Sequence, residues 1–215
     1  MKMSRIVRGL FCGVILSALL FAGDAKGQIV PTIFARWSVE TTGTIGMTDG
    51  EFAGIYDSDF SLLQSFTLPS IPSSTQISSQ ASIWSPNLQY IHRQVLYDDT
   101  YTGPSDYKTL LQVWRVDTQE LVFEHLGPIL SATIWNQQGT QFAFAIQTGL
   151  GSANVLVFDT TGNLINELIP PIGGPVSMIE WNANGNRIAF NSGNNLHVWD
   201  FASNQYLTSP TDQFG

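Results

Sequence analysis

The residue types that most often do chemistry in proteins are few in this sequence. The three histidines lie far apart, at His92, His125 and His197, and the single cysteine is Cys12. A zinc site needs several Cys, His or acidic ligands at a suitable spacing, and these residues do not supply it. The sequence also lacks the Gly-x-Ser-x-Gly, phosphate-loop and His-Glu-x-x-His motifs. We therefore expect no enzyme activity, no metal site and no cofactor.

One segment, residues 97–108, has the residue types of a binding loop. Its tyrosines and aspartates surround Gly103-Pro104 and comprise Tyr97, Asp98, Asp99, Tyr101, Asp106 and Tyr107. Tyrosine supplies rigid contact area with a polar tip, and functional loops usually stand on a rigid scaffold. The alternative is a solvated loop without a ligand. The aspartate spacing does not match a calcium-binding loop.

A sequence repeat indicates the strands that would position this loop. Tryptophans recur at intervals of 46 to 51 residues, each followed by Ser or Asn: Trp37, Trp84, Trp135 and Trp181. Downstream of each lies an aromatic residue after a β-branched one: Tyr56, Trp114, Phe158 and Trp199. A repeat of this length is one supersecondary unit that stacks on its neighbours. We therefore predict that these aromatics are buried between sheets.

Aspartate follows the downstream aromatic residue directly in three of the four repeats, at Asp57, Asp159 and Asp200. Aspartate commonly accepts hydrogen bonds from the backbone N–H groups of its own turn. We predict that these three residues cap the turn after the third strand of each unit, with no catalytic role.

Short strand-like runs separated by turn residues make up each repeat, which predicts an all-β protein with no long helix after residue 27. We place the units at about 32–66, 81–126, 128–169 and 174–208. Gly139 and Gly185 permit positive φ in a tight hairpin. The second repeat has Leu88 at that position, so we expect its turn to differ. In such units the 97–108 loop shares one face with the Pro/Ser-rich stretch 67–80.

The phrases Ile-Glu-Trp181-Asn-Ala-Asn-Gly and Leu-His-Val-Trp199-Asp200 resemble the repeats of the WD40 and TolB-like propeller families. Those repeats contain a Trp-Ser-Pro-Asp-Gly turn, to which Ser85-Pro86-Asn87 is close. The resemblance covers residues 32–208 and is strongest over 128–208. It implies a β-propeller of about four four-stranded blades. The Gly-His dipeptide that opens many WD40 repeats is missing here.

The number of repeats leaves three architectures open, because propellers usually have about four to eight blades. One is a small closed four-bladed ring. The second is an open arc completed by a partner or by a second copy through open blade edges. The third is an incomplete or truncated propeller.

The first 27 residues are predicted to be a secretory signal peptide. Lys2, Arg5 and Arg8 precede an apolar run from Leu10 to Gly23, and small residues follow. The run is shorter than the ~20 apolar residues that span a bilayer. We expect the exported protein, residues 28–215, in the periplasm or outside the cell. The absence of cysteine after Cys12 and of any Asn-x-Ser/Thr acceptor favours a bacterial source.

The charge balance is acidic, with 9 Lys and Arg against 17 Asp and Glu. Such a surface repels phosphate backbones, so we expect no nucleic-acid partner. The sequence favours an exported, non-enzymatic propeller that binds a protein or peptide through one face. The alternatives are an accessory or truncated propeller of a secreted hydrolase or peptidase, and a glycan-binding module.

Overall fold

Four antiparallel sheets make up the described part of the chain. The computed structural model describes residues 34–38, 43–49, 51–70, 76–98 and 107–207. The first sheet contains β1 Phe34–Trp37, β2 Ile45–Thr48, β3 Phe52–Tyr56 and β4 Leu62–Thr67. The second contains β5 Gln76–Trp84, β6 Tyr90–Asp98, β7 Tyr107–Arg115 and β8 Glu120–Gly127.

The third and fourth sheets follow the same plan. The third contains β9 Ile134–Trp135, β10 Gln141–Gly149, β11 Ser152–Asp159 and β12 Leu164–Leu168. The fourth contains β13 Ile179–Trp181, β14 Arg187–Ser192, β15 Asn195–Asp200 and β16 Gln205–Leu207. In every sheet the strands are neighbours in chain order. The all-β, propeller-type prediction is confirmed.

First strands of adjacent sheets contact each other at two of the three sheet junctions: β1 contacts β5, and β9 contacts β13. In the second, third and fourth sheets, the residue that follows the tryptophan holds the turn after the first strand. Asn136 Oδ1 accepts from the amides of Thr140 and Gln141 at 2.9 and 3.1 Å. Asn182 does the same for its own turn, and Ser85 Oγ accepts from the amide of Tyr90. The Trp-Ser/Asn pattern is therefore a strand end followed by a turn cap.

The turn of the second repeat does not differ from the others, and that expectation was wrong. Leu88 has φ 59°, beside 68° for Gly139 and 66° for Gly185. All three amides donate to the carbonyl oxygen of the capping residue three positions earlier. Leu88 is also buried among Trp84, Ile91 and Trp114. We infer that burial of its side chain offsets the left-handed backbone.

Three apolar cores lie between consecutive sheets. The core between the first two sheets joins Ala53 and Phe66 to Trp84 and Trp114. The next joins Leu111 and Val113 to the aromatic residues of the third sheet, and the last joins the third sheet to Ile188 and Phe190. Among the described residues, no such core joins the first sheet to the fourth. The four sheets therefore form a series with two outer faces.

The repeat aromatics have different environments. Trp84 is 1% exposed, and Trp135, Trp114 and Phe158 are also buried. Trp181, Trp199 and Tyr56 are partly buried. Trp37 is 53% exposed, so its prediction as a core residue was wrong. The cause is its position on the outer face of the first sheet, which no other sheet covers among the described residues.

Residues 1–33, which include the predicted signal peptide 1–27, lie outside the described residues. Within the described part of the chain, no helix is long and apolar enough to cross a membrane.

Candidate binding face

The connections between sheets and the loops between second and third strands lie at the same end of the sheets. In the second sheet Gln76 pairs with Asp98, and Asp98 pairs with Tyr107. Thr109 pairs with Gly127, which ends β8. The segment before β5, the β6–β7 loop and the segment after β8 therefore meet at one end, as the sequence predicted. We call this end the linker face.

The predicted binding loop lies largely outside the described residues. The structure gives only the backbone of Tyr97, Asp98 and Tyr107, which belong to β6 and β7. Asp99, Tyr101 and Asp106 fall in 99–106, which is not among the described residues. The assignment of this loop to ligand binding stays a prediction.

Arg93, in the interior of β6, ties this strand to the preceding connection. Its guanidinium donates to the carbonyl oxygen of Pro69 at 2.7 Å and to Gln112 Oε1 at 2.5 Å. Gln112 Nε2 in turn donates to Glu124 Oε2 at 2.7 Å. Arg93 is 2% exposed, and a buried cation needs such polar partners. Gln112 therefore links the buried charge of Arg93 to the carboxylate of Glu124 on the outer strand β8.

Gln94, the next residue of β6, ties the same strand to the following connection. Its Nε2 donates to the carbonyl oxygen of Ser131 at 3.1 Å, and its Oε1 accepts from the amide of Thr133 at 3.2 Å. Adjacent strand residues point to opposite sheet faces, so Arg93 and Gln94 bind the two neighbouring connections. The strands that carry the loop are thus held from both sides.

Sequence analysis did not single out Arg93 or Gln94. The signal was present: β6 and β7 place Arg93 and Gln112 at positions whose neighbours two residues away are apolar. A charged residue inside such a pattern indicates a buried polar contact. Its partner, the carbonyl oxygen of Pro69, could not be found without the tertiary structure.

The linker face also carries exposed aliphatic side chains on the third and fourth sheets. Leu150, at the tip of the β10–β11 hairpin, is fully exposed, and Ile172 is 55% exposed. Leu130 and Ile169 are also exposed. The connection that carries Ile172 is held by Ser192, whose Oγ lies 3.0 and 3.2 Å from the carbonyl oxygens of Ile172 and Gly174 and donates its one proton to one of them at a time. Exposed apolar groups on a fixed backbone are a common feature of interaction surfaces.

The three histidines are not brought together. His92 Nδ1 accepts from Trp135 Nε1 at 2.9 Å in the core between the second and third sheets. Burial, with a smaller contribution from the charge of Arg36, lowers the pKa of His92 to about 3. Burial also lowers the pKa of His125 and of His197. Within the described ranges, no three His, Cys, Asp or Glu residues are placed to hold a metal ion.

The repeat aspartates lie in turns at the end opposite the linker face. Asp57 Oδ1 accepts from the amides of Asp59 and Ser61, both at 2.9 Å. Asp159 accepts from the amides of Thr161 and Asn163 at 2.8 and 2.9 Å.

Asp200 makes the same kind of turn and adds an ion pair. Its carboxylate accepts from the amide of Ser203 at 3.0 Å and lies 2.7 Å from Arg187 Nε. The Ser203 amide, followed by the Arg187 hydrogen bond, lowers the pKa of this carboxyl group. All three carboxylates are thus occupied by hydrogen bonds within the turn.

Residues 149–213 match the family model of the dipeptidyl peptidase IV (DPP IV) N-terminal region. A comparison with curated proteins found no significant match. The matched residues include the last two strands of the third sheet and all four strands of the fourth, and that region of dipeptidyl peptidase IV is a β-propeller. The more specific relation to WD40 or TolB-like repeats stays a prediction. The four-sheet architecture and this match together identify the chain as a propeller-type repeat protein.

Proposed function

We propose that this chain is a non-enzymatic binding scaffold that takes a protein or peptide ligand on its linker face. The observation that carries the proposal is the attachment of β6, one of the two strands that carry the loop, to both neighbouring connections, through Arg93 to Pro69 and through Gln94 to Ser131 and Thr133. These hydrogen bonds hold the strand before residues 99–106, a segment whose sequence is rich in tyrosine and aspartate. Fixed strands lower the ordering cost of a binding loop.

The aliphatic side chains on the same face support a peptide rather than a small polar ligand. Leu150 and Ile172 offer apolar contact area, and the loop offers tyrosine rings and carboxylates. A peptide with an apolar anchor and a basic residue fits this combination. The acidic surface adds a longer-range attraction for such a ligand.

Binding to a peptide library, measured by biolayer interferometry, tests the proposal. We expect selected peptides to contain apolar and basic residues. The double variant Leu150→Asp, Ile172→Asp and a Gly-Ser replacement of residues 99–106 should each weaken binding by about tenfold or more. Phe60→Asn, an exposed change at the opposite end, is the matched control and should leave binding unchanged. Binding that survives both linker-face changes would contradict the proposal, and retention on a polysaccharide resin would favour a glycan-binding module.

A second candidate function is favoured by the family match. The chain would then be the propeller part of a secreted peptidase, in which the propeller controls access to a catalytic domain. Support comes from the match of residues 149–213 to the N-terminal region of dipeptidyl peptidase IV. The coding DNA tests this candidate directly. A hydrolase domain in frame with these repeats supports it, and a stop codon after residue 215 with no adjacent hydrolase gene argues against it.

A further inference from the structure

The same row of side chains recurs across each sheet in direct register. In the fourth sheet, cross-strand pairing aligns Trp181, Ile188, Trp199 and Tyr206. The third sheet aligns Trp135, Phe142, Phe158 and Leu164, and the second aligns Trp84, Ile91, Trp114 and Leu121. In each of these three sheets the first three members of the row belong to the core shared with the preceding sheet, and in the fourth sheet Tyr206 does as well. The tryptophan row of a sheet is therefore the surface that packs on the sheet before it.

The first sheet has this row but no preceding sheet among the described residues. Its members are Trp37, Ile45, Tyr56 and Leu62, in the same register as the rows that are buried elsewhere. We call this surface the tryptophan face. Ile45 is buried, and Leu62 is exposed like its counterpart Leu164 in the third sheet. Trp37 differs from its counterparts: it is 53% exposed, whereas Trp84 is 1% and Trp135 is 7% exposed. The first sheet thus presents a tryptophan whose counterparts in the second and third sheets are covered.

The fourth sheet presents the complementary surface. The face of the third sheet that receives the Trp181 row includes Ala143, Ala145, Val155 and Val157, all fully buried. On the fourth sheet the pair Ala189 and Val198 occupies the register of Ala143 and Val157, and Leu196 occupies that of Val155. With Leu207, paired to Val198, these residues form the aliphatic face. Leu196 is 55% exposed.

We propose that a second copy of this chain covers these faces head to tail, with the tryptophan face of one copy on the aliphatic face of the other. The contact continues the sheet-on-sheet packing that the chain already makes three times internally. A second copy carries both complementary faces.

The proposed contact is heterologous, because two different faces meet. Two copies can make this contact at both of their outer faces. The four sheets of one copy and the four sheets of the other then form one closed ring. That number lies within the range of about four to eight blades found in propellers. The linker faces of both copies then lie on the same rim of the ring and stay accessible to a ligand.

Light scattering coupled to size exclusion tests the proposal on the purified chain, at about 0.15 M salt to screen its net charge of −8. We expect a species of twice the chain mass. Trp37→Glu on the tryptophan face and Leu196→Glu on the aliphatic face should each convert it to monomer. Both positions are exposed in the single chain, so circular dichroism should show folded variants. Ile165→Glu, an exposed strand position outside both faces, is the control and should keep the dimer.

Mixing the two variants distinguishes a head-to-tail contact from any symmetric one. The Trp37→Glu and Leu196→Glu chains together still own one intact tryptophan face and one intact aliphatic face, so the mixture should form a heterodimer when neither variant associates alone. An unsubstituted chain that stays monomeric at about 100 µM would overturn the proposal and indicate that residues outside the described ranges cover these faces. Failure of the mixture to associate, or dissociation by only one variant, would also overturn it.

Discussion

Residues at one repeat position differ according to what lies against them. Trp84 and Trp37 both end the first strand of a sheet, yet Trp84 is 1% exposed and Trp37 is 53% exposed. The intrinsic properties of the side chain are the same, so the neighbouring sheet decides its energetic contribution. Burial of an aromatic side chain between sheets removes a large apolar area from water.

We expect Trp84→Ala to lower the free energy of unfolding by about 3–5 kcal/mol, the range for large aromatic truncations in packed cores. Trp37→Ala should lower it by less than about 1 kcal/mol, because half of its side chain already contacts water. Urea unfolding at a concentration where the chain is monomeric measures both. Equal losses for the two variants would contradict the assignment of Trp37 to an uncovered face.

His92 makes the stability depend on pH. Its folded pKa is about 3 against an ordinary value of 6.5, so protonation favours the unfolded chain. Because the folded pKa is lowered, the contribution of neutral His92 to the free energy of unfolding is fully present above pH 6.5. It is lost progressively as the pH falls from 6.5 towards 3. The slope is about 1.4 kcal/mol per pH unit, which gives a loss of about 2 kcal/mol between pH 7 and pH 5.

The variant His92→Gln keeps an acceptor for Trp135 Nε1 and removes the titrating group. Urea unfolding measures the free energy of unfolding at pH 7 and pH 5. The difference between the two values should be smaller by about 2 kcal/mol in His92→Gln than in the unsubstituted chain. His125→Gln, which removes a less buried imidazole, should flatten it less. A pH dependence unchanged by His92→Gln would refute this assignment.

At the scale of elements, the turns between third and fourth strands show how one geometry tolerates different residues. Each has a residue with positive φ at the same place: Phe60, Gln119, Gly162 and Asn204. The left-handed region is costly for a bulky side chain, by roughly 1–2 kcal/mol. Phe60 is exposed, so its side chain recovers little of that cost by packing.

We expect Phe60→Asn to raise the free energy of unfolding by about 0.5–1 kcal/mol, because asparagine tolerates this backbone region better. Gly162→Ala is the opposite case at the equivalent position. Its added Cβ would lie 2.5 Å from the carbonyl oxygen of Val122, so it should destabilise the chain. Thermal unfolding measures both, and destabilisation by Phe60→Asn would show that its ring has a packing role.

At the scale of the whole molecule, three interfaces between sheets bury the apolar surface, and two outer faces stay uncovered among the described residues. Repeat proteins of this kind need their terminal faces covered to stay soluble. The proposed head-to-tail contact of two copies would cover both faces with surfaces that the chain already uses.

We predict that the chain is exported and that its mature form begins near Gln28. The basic start and the short apolar run before small residues support this prediction. N-terminal sequencing of the protein from the periplasmic or culture fraction should return a start close to Gln28. Recovery from the cytoplasm with Met1 intact would contradict it. Replacing residues 10–16 by polar residues is the control that should retain the protein in the cytoplasm.

The sequence alone determined the strand content, the four-unit repeat and the end of the sheets at which the 97–108 loop lies. These follow from local patterns: the alternation of apolar residues, the Trp-Ser/Asn turn cap and the aspartates such as Asp159 that hold their own turns. Each pattern acts within a few residues, so it can be detected without knowledge of the fold.

The tertiary structure alone decided which tryptophan is covered, how Arg93 and Gln94 hold two connections, and that Leu88 adopts the same turn as glycine. Each depends on atoms distant in sequence: the preceding sheet, the Pro69 carbonyl oxygen, and the core around Trp114. Burial and long-range hydrogen bonds are properties of neighbours in space. A repeat pattern therefore predicts equivalent positions, whereas the order in which the sheets stack decides their environments.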